Sequence, residues 1–428
     1  MRQRYFVFIL AGCFLVVLNS YVIAGGAAGK KEEVVLTEEA KGEGEVAKTD
    51  YEEYIDFFEE VYGTIDTNYY HEVVRENFNR FIDKFDKDIY GKLQGEGKSS
   101  DYIKWRSAAY LVDYLKNKDD IFSKFLPPKP AKKYEQTVLG KRIDLGIEGK
   151  IVDKGFEVTR VEPRADAYEK GLRVPDVILK IDDKSVIGLE QKEIETLLTP
   201  LENEKVVLSV FDVSENKEIE MEVVSKEYFK QFVFMVPVPV PGIYCLKIER
   251  FNRMTAQDMT GFMSHILKNK GTGLIIDLRG NPGGPPLAAR EISSFFLPPA
   301  EDFAHFYWKN KPKAVLDVPR IPERYHYKGD IIILVDKKSG SASELFSGIL
   351  QKRGRAAIMG TNTAGQVLLK SMFYFDDESM VLLVTARGHH PDGEVFSYDG
   401  VRPNEMIHNK DADLLQYAAY YLIQQRKK

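Results

Sequence analysis

At 428 residues the chain is long enough for two or three domains, each with its own hydrophobic core. A net charge of -5 with both signs interspersed argues against a nucleic-acid partner, whose electrostatic footprint would be basic. Two cysteines, Cys13 and Cys245, and seven histidines without ligand spacing argue against a zinc or iron-sulfur site, and no metal or organic cofactor is implied.

The chain opens on Met1-Arg2-Gln3-Arg4 and continues in a mostly apolar run from Tyr5 to Ala24, the pattern of an export signal. Val22-Ile23-Ala24 suits cleavage after Ala24, and the run is also long enough to stay as a single membrane anchor. Residues 1–24 are therefore read as a signal peptide or membrane anchor, and the expected location is periplasmic or extracellular. Leu10-Ala11-Gly12-Cys13 resembles a bacterial lipoprotein box, but the apolar stretch continues beyond it, which argues against lipidation. Removal of the signal would leave Cys245 alone and the mature chain without an internal disulfide. Residues 25–50, rich in Gly, Ala, Lys and Glu, cannot bury enough surface to fold and read as a flexible linker.

Residues 51–140 read as a helical N-terminal domain. Tyr54, Phe57, Phe58 and Val61 share one face, and the helical pattern continues with Ile103, Trp105, Ala108, Leu111, Val112 and Leu115. Pro127-Pro128-Lys129-Pro130 is expected to end the helical stretch. Such a segment can make homo-oligomer contacts or act as an internal brace, and its pattern fits both.

Residues 141–228 alternate strands with two short helices. Gly155–Val161 and Asp176–Ile181 read as strands, Asp166–Leu172 as a helix closed by Gly171, and Leu189–Leu198 as a second helix before two more strands. This stretch resembles a PDZ domain of the kind inside bacterial and plastid proteases, with Pro175-Asp176-Val177 where G-D-V is usual. The resemblance implies a groove that takes an extended C-terminal peptide by strand addition. A rigid spacer without a ligand is the alternative.

Residues 229–428 alternate apolar strands with helices, which predicts a layered α/β unit closed by a C-terminal helix. Two strands end in special loops. Leu274–Leu278 runs into Arg279-Gly280-Asn281-Pro282-Gly283-Gly284, and Ile331–Asp336 runs through Lys337-Lys338-Ser339-Gly340 into Ser341-Ala342-Ser343-Glu344. Ligands of such sheets bind beyond the carboxyl ends of the strands, so both loops can border one crevice. Ser341 precedes a helix, whose first turn carries unpaired N–H groups able to stabilise an oxyanion. Equally, Ser341 and Glu344 have the S-x-x-E spacing of a capping box. Arg279 and Asp277 either orient the glycine loop or pair with each other.

The whole order, an export signal, a helical segment, a PDZ-like domain, D-L-R-x-N-P-G-G and S-A-S-E before a helix, resembles the C-terminal processing peptidases, also called tail-specific proteases. It covers residue 51 to about 425 and implies a multidomain α/β protein with a ClpP/crotonase-like core. It further implies that Ser341 is the nucleophile and that Gly283 and Ala342 supply the oxyanion hole. The family's general base is a lysine with a glutamine four residues on. Here Gln366 falls on the lysine position and Lys370 on the glutamine position, so the two residue types are exchanged. Gln366 cannot accept a proton, whereas Lys370 can if desolvation lowers its pKa. Lys370 is the provisional base. Another base, such as His389-His390, or a substrate-bound water is the second possibility, although a histidine pair beside Pro391-Asp392-Gly393 reads as surface. The reading is an exported serine endopeptidase that cuts polypeptides near exposed C-termini. The alternative is a degenerate relative acting as a peptide-binding adaptor or scaffold.

Overall fold

The computed structural model describes residues 49–407 and 413–425. The export segment, the linker up to residue 48 and Cys13 lie outside the described residues. The described residues divide into two compact units, one containing those up to Ala131 with Trp308–Lys311 and Lys370–Ala386, the other containing Lys132–Tyr307, Pro312–Leu369 and those from Arg387 onward. Among the described residues no helix is long and apolar enough to cross a membrane.

The first unit is built on helices Asp50–Asn68, Arg75–Lys84 and Ser100–Leu115. Thr49 starts the first with a capping box: its hydroxyl accepts the Glu52 N–H, and the Glu52 carboxylate accepts the Thr49 N–H. The apolar faces meet in an aromatic core in which Phe58 packs edge-on to Phe85 with ring centres 4.9 Å apart. A strand not expected from the pattern, Lys124–Leu126, pairs antiparallel with Met380–Leu382. The expected stop at Pro127-Pro128-Lys129-Pro130 is overturned, because a helix runs from Pro128 to Leu139. The prolines occupy its first turn, where a missing N–H breaks no intrahelical bond and the fixed φ suits a helix.

In the second unit the PDZ sheet has the order β1 (Ile147–Val152), β2 (Gly155–Val161), β3 (Val177–Ile181), β4 (Lys205–Asp212), β5 (Lys217–Val224). Alternate residues Phe156, Val158, Ile178, Leu208 and Val210 point into a core closed by Ile194 of helix α1 (Gln191–Leu197). Burying each of these large side chains contributes about 1.5–3 kcal/mol.

The peptidase-like part is a six-stranded sheet in the order β6 (Val233–Val236), β7 (Ile243–Ile248), β8 (Gly273–Asp277), β9 (Asp330–Val335), β10 (Ala357–Gly360), β11 (Glu405–Met406). Only β6 is antiparallel to its neighbour. Helices α2 (Thr255–Lys268), α3 (Pro286–Ser293) and α4 (Ala342–Lys352) follow β7, β8 and β9 in the chain. Helix α5 (Leu414–Gln425) buries Leu414, Ala418, Ala419 and Leu422 against Cys245, Ile275, Ile332 and Leu334. Strands covered on both faces must be apolar throughout, which is why Ile331–Val335 reads as an unbroken hydrophobic run. The layered α/β architecture expected from the sequence is present.

Candidate active site

The register of the parallel strands sets the site. Asp277 of β8 lies opposite Leu334 of β9, and Val335 of β9 opposite Gly360 of β10. The loops leaving these strands, residues 278–285, 336–341 and 361–367, therefore emerge side by side at one carboxyl edge. Backbone bonds knit them together. Gly340 N–H donates to Asn281 O at 3.0 Å, and Ser343 Oγ to the same oxygen at 3.0 Å. Ser339 Oγ donates to Leu278 O at 2.8 Å, and Ala364 N–H to Ser339 O at 3.0 Å.

Ser341 stands at the strand-to-helix junction, half-buried, with φ 53° and ψ -112°. A non-glycine residue in that region is strained by about 1–3 kcal/mol and persists only where its surroundings hold it. Glu344 supplies the hold. Its side chain is fully buried. Oε2 accepts the N–H groups of Ser341 and Gln366, each at 2.8 Å, and Oε1 accepts the Gly365 N–H and the Thr363 hydroxyl, each at 2.6 Å. Four donors match the acceptor capacity of a carboxylate, which is how a buried charge is tolerated without a cation. The capping-box reading of Ser341 and Glu344 is thus half of the picture. The capping box is present, and the Glu344 N–H also reaches the Ser341 carbonyl at 3.0 Å.

Gly283 lies directly against the serine. A Cβ on it would sit 2.5 Å from Gly340 O, 2.7 Å from Ser341 Cβ and 2.9 Å from Ala342 N, and its φ is 97°. Both facts require glycine. Its N–H, however, donates to the buried Asn281 Oδ1 at 2.8 Å, so it is engaged rather than presented as expected. Asn281 is fixed in turn, since its Nδ2 donates to Ile248 O at 2.8 Å. Ala342 N–H belongs to the first residue of α4 and has no acceptor within the helix.

Of the two readings for Asp277 and Arg279, the structure gives the pair. Arg279 donates to both Asp277 oxygens, at 2.9 and 2.8 Å. Burial raises the Asp277 pKa, but the bonds from Arg279 and the charge of Lys247 outweigh it and hold the carboxyl below its ordinary value. Lys247 also donates to the Arg279 carbonyl, so this cluster anchors the start of the glycine loop.

The even spacing of Gln366 and Lys370 does not put them on one extended strand. Leu368 N–H turns back onto Gln366 O at 2.9 Å, Gln366 lies in the loop, and the strand begins only at Leu368. Lys370 belongs to the other compact unit, where its ammonium lies over the Phe122 ring at 4.6 Å. The histidine pair is not the surface loop expected. His389 ends the strand Met380–His389, and His390 stacks on Phe396 at 3.9 Å. Burial pushes the His390 pKa down to about 4, so it is neutral at physiological pH. Its ring borders Gly348, two turns into α4 and about 10 Å along the helix from Ser341.

The family model for peptidase family S41 matches residues 242–407, the span that carries all three loops, and that for the PDZ domain matches residues 131–210. Residues 242–407 are a peptidase family S41 domain. Carboxy-terminal processing protease CtpA of Bacillus subtilis is similar to this chain, 27% identical over 351 residues that cover 78% of the chain and 71% of that protein. A probable CtpA-like serine protease of Staphylococcus aureus is 26% identical over 338 residues, 76% of the chain and 66% of that protein. Among solved structures the tricorn protease superposes with a TM-score of 0.51 at 15% identity, covering 88% of this chain and 37% of that one, a likeness of fold. Ser341, Gly283 and Ala342, all named from the sequence, lie together at this junction; Glu344 was read there only as a cap, and Asn281 and Thr363 were not singled out. The S-x-x-E spacing was the one available signal for Glu344.

Proposed function

We propose that the chain is an exported serine endopeptidase of the C-terminal processing type, with Ser341 as nucleophile and Ala342 N–H as the ready oxyanion donor. The observation that carries this reading is the strained Ser341 backbone at the start of α4, held by a buried carboxylate that also holds the loop bearing Gln366. The relatives described as carboxy-terminal processing proteases support proteolysis over a binding-only adaptor. Export rests on the basic and apolar N-terminus.

Ser341 Oγ attacks the scissile carbonyl carbon, its proton passes to a base, and the carbonyl oxygen becomes an anion beside Ala342 N–H. Gly283 N–H is the second donor. An oxyanion is a stronger acceptor than the Asn281 amide oxygen, and a charge-assisted bond is about twice as strong as a neutral one. The exchange from Asn281 to the oxyanion therefore favours the transition state. Collapse breaks the C–N bond as the base returns the proton to the leaving amine, and water then hydrolyses the acyl-serine by the reverse sequence. Of Gln366 and Lys370 only the lysine can accept a proton, so Lys370 is the base and Gln366 an orienting amide. The substrate is an extended polypeptide, recruited with the PDZ domain.

The test is hydrolysis of casein by the purified mature chain and by Ser341→Ala. The substitution should abolish cleavage, by about 1,000-fold or more. Cleavage that survives it rules out Ser341, and an inert wild type that still binds peptides favours the adaptor.

A further inference from the structure

We propose that Arg250 is a specificity-determining residue of this chain, a guanidinium held beside the glycine loop to take a carboxylate of the substrate. The inference rests on the peptidase reading for where the substrate lies. Strand β7 runs parallel to β8 with Lys247 opposite Asp277, so Arg250, two residues beyond β7, leaves the sheet at the same carboxyl edge as the site loops. Its neighbours are tied to the glycine loop. Ile248 O accepts Asn281 Nδ2 at 2.8 Å, and Phe251 N–H donates to Gly283 O at 3.0 Å. A Cβ on Gly284 would lie 2.0 Å from Phe251 O, so the two segments are in close backbone contact. The chain on both sides of Arg250 is thus fixed to the loop that touches Ser341.

The side chains next to it are engaged elsewhere. Glu249 pairs with Arg160 at 3.2 Å, and Phe251 packs on Phe346 of α4 with ring centres 6.2 Å apart. Other partly buried arginines of the same unit are satisfied: Arg279 by Asp277, Arg160 by Glu162 and Glu249, and Arg355 by the carbonyls of Phe296, Tyr327 and Gly329. Arg250 is half-buried too, yet among the described residues no carboxylate or carbonyl accepts from its guanidinium. Burial pushes its pKa down, and the group acting against that shift is Tyr134. Burial in turn pushes the Tyr134 pKa up, so the phenol is neutral and brings no counter-charge.

A guanidinium keeps its proton inside a protein, so the charge stays and its burial costs stability until an anion arrives. A polypeptide supplies one as an Asp or Glu side chain or as its terminal carboxylate, and the planar fork of arginine matches either with two parallel bonds. An extended substrate bound at Ser341 rises about 3.3 Å per residue, so carboxylates two to four residues from the scissile bond lie about 7–13 Å away. That span is open to a long side chain on the neighbouring strand end.

The test uses the full chain carrying Ser341→Ala, so that binding is read without cleavage, with Arg250 intact or changed by Arg250→Gln or Arg250→Lys. Fluorescein-labelled decapeptides tiled through casein are prepared unchanged, with every Asp and Glu replaced by Asn and Gln, and as the C-terminal amide, and anisotropy gives Kd. With Arg250 intact, one of the two neutralisations should weaken binding by about 10-fold or more, and which one does so tells a side-chain carboxylate from a tail. In Arg250→Gln the same neutralisation should cost less than about 2-fold, whereas Arg250→Lys, which keeps the charge, should still prefer the acidic form. Arg250→Gln should leave Tm unchanged or raised, because it removes a partly buried charge that has no partner. Equal discrimination in the Arg250 and Arg250→Gln chains, no loss on either neutralisation, no binding of any peptide, or a lowered Tm each overturns the proposal. Casein hydrolysis by the wild type is measured separately, so the peptidase reading stands or falls on its own.

Discussion

The backbone N–H of Ser341 and the carboxylate of Glu344 meet at 2.8 Å, and the same carboxylate oxygen receives the N–H of Gln366 at 2.8 Å. One buried side chain thereby fixes the residue before α4 and a loop 25 positions later, by backbone contacts that are blind to the side chains carried there.

Replacing Glu344 with Gln exchanges one acceptor oxygen for a donor and leaves buried N–H or O–H groups facing it. Each unsatisfied group costs about 1–3 kcal/mol, so stability should fall by about 2–5 kcal/mol. Glu344 touches site backbone and not substrate, so kcat should fall by about 10-fold or more with KM nearly unchanged. Denaturant unfolding and steady-state kinetics on casein peptides measure both, and a change confined to KM would place Glu344 against the substrate instead.

Gly283→Ala introduces a Cβ within 2.5–2.9 Å of the nucleophile loop at a φ of 97°. Casein hydrolysis should drop below about one hundredth of wild type, whereas Gly63→Ala, with open space at its Cβ, should leave it intact.

Lys370→Ala should lower hydrolysis by about 100-fold or more, the usual worth of a general base. The contact over Phe122, worth about 0.5–1 kcal/mol, is lost with it. Adding Gln366→Lys to that variant should restore activity, because an amine then stands on the loop that Glu344 holds. Activity unchanged by Lys370→Ala would remove Lys370 as base.

Asp277 predicts an acid-side effect. Its folded pKa is depressed, so the carboxylate contributes stability that is fully present above its unfolded pKa of about 3.9. That contribution is lost as the pH falls through the lower, folded value. Asp277→Asn should therefore lower Tm at pH 7 and have a diminishing effect as the pH is taken below 4, read by thermal melts across that range.

The strands and helices of the sheet were legible because strands covered on both faces must be apolar and the helices between them periodic. The proline run was misread because helix initiation tolerates what helix interiors forbid, and only the residues after Pro130 tell a helix start from a helix stop. Ser341 and Gly283 were legible through their motifs. Glu344 was not, since three of its four donors, at Thr363, Gly365 and Gln366, become neighbours only when β9 and β10 pair in register. The bond that engages Gly283 N–H was not legible for a related reason: its acceptor, Asn281, sits inside the same motif and looks like a spacer.

The shared carboxylate has a further consequence for motion. Amides at 341, 365 and 366 cannot open singly without stripping a buried charge of part of its solvation, so they form one cooperative unit, exchanging their hydrogens together or not at all. Local loosening that would misalign the serine alone is thereby converted into an all-or-none event, and the site spends its time either assembled or rarely and wholly undone.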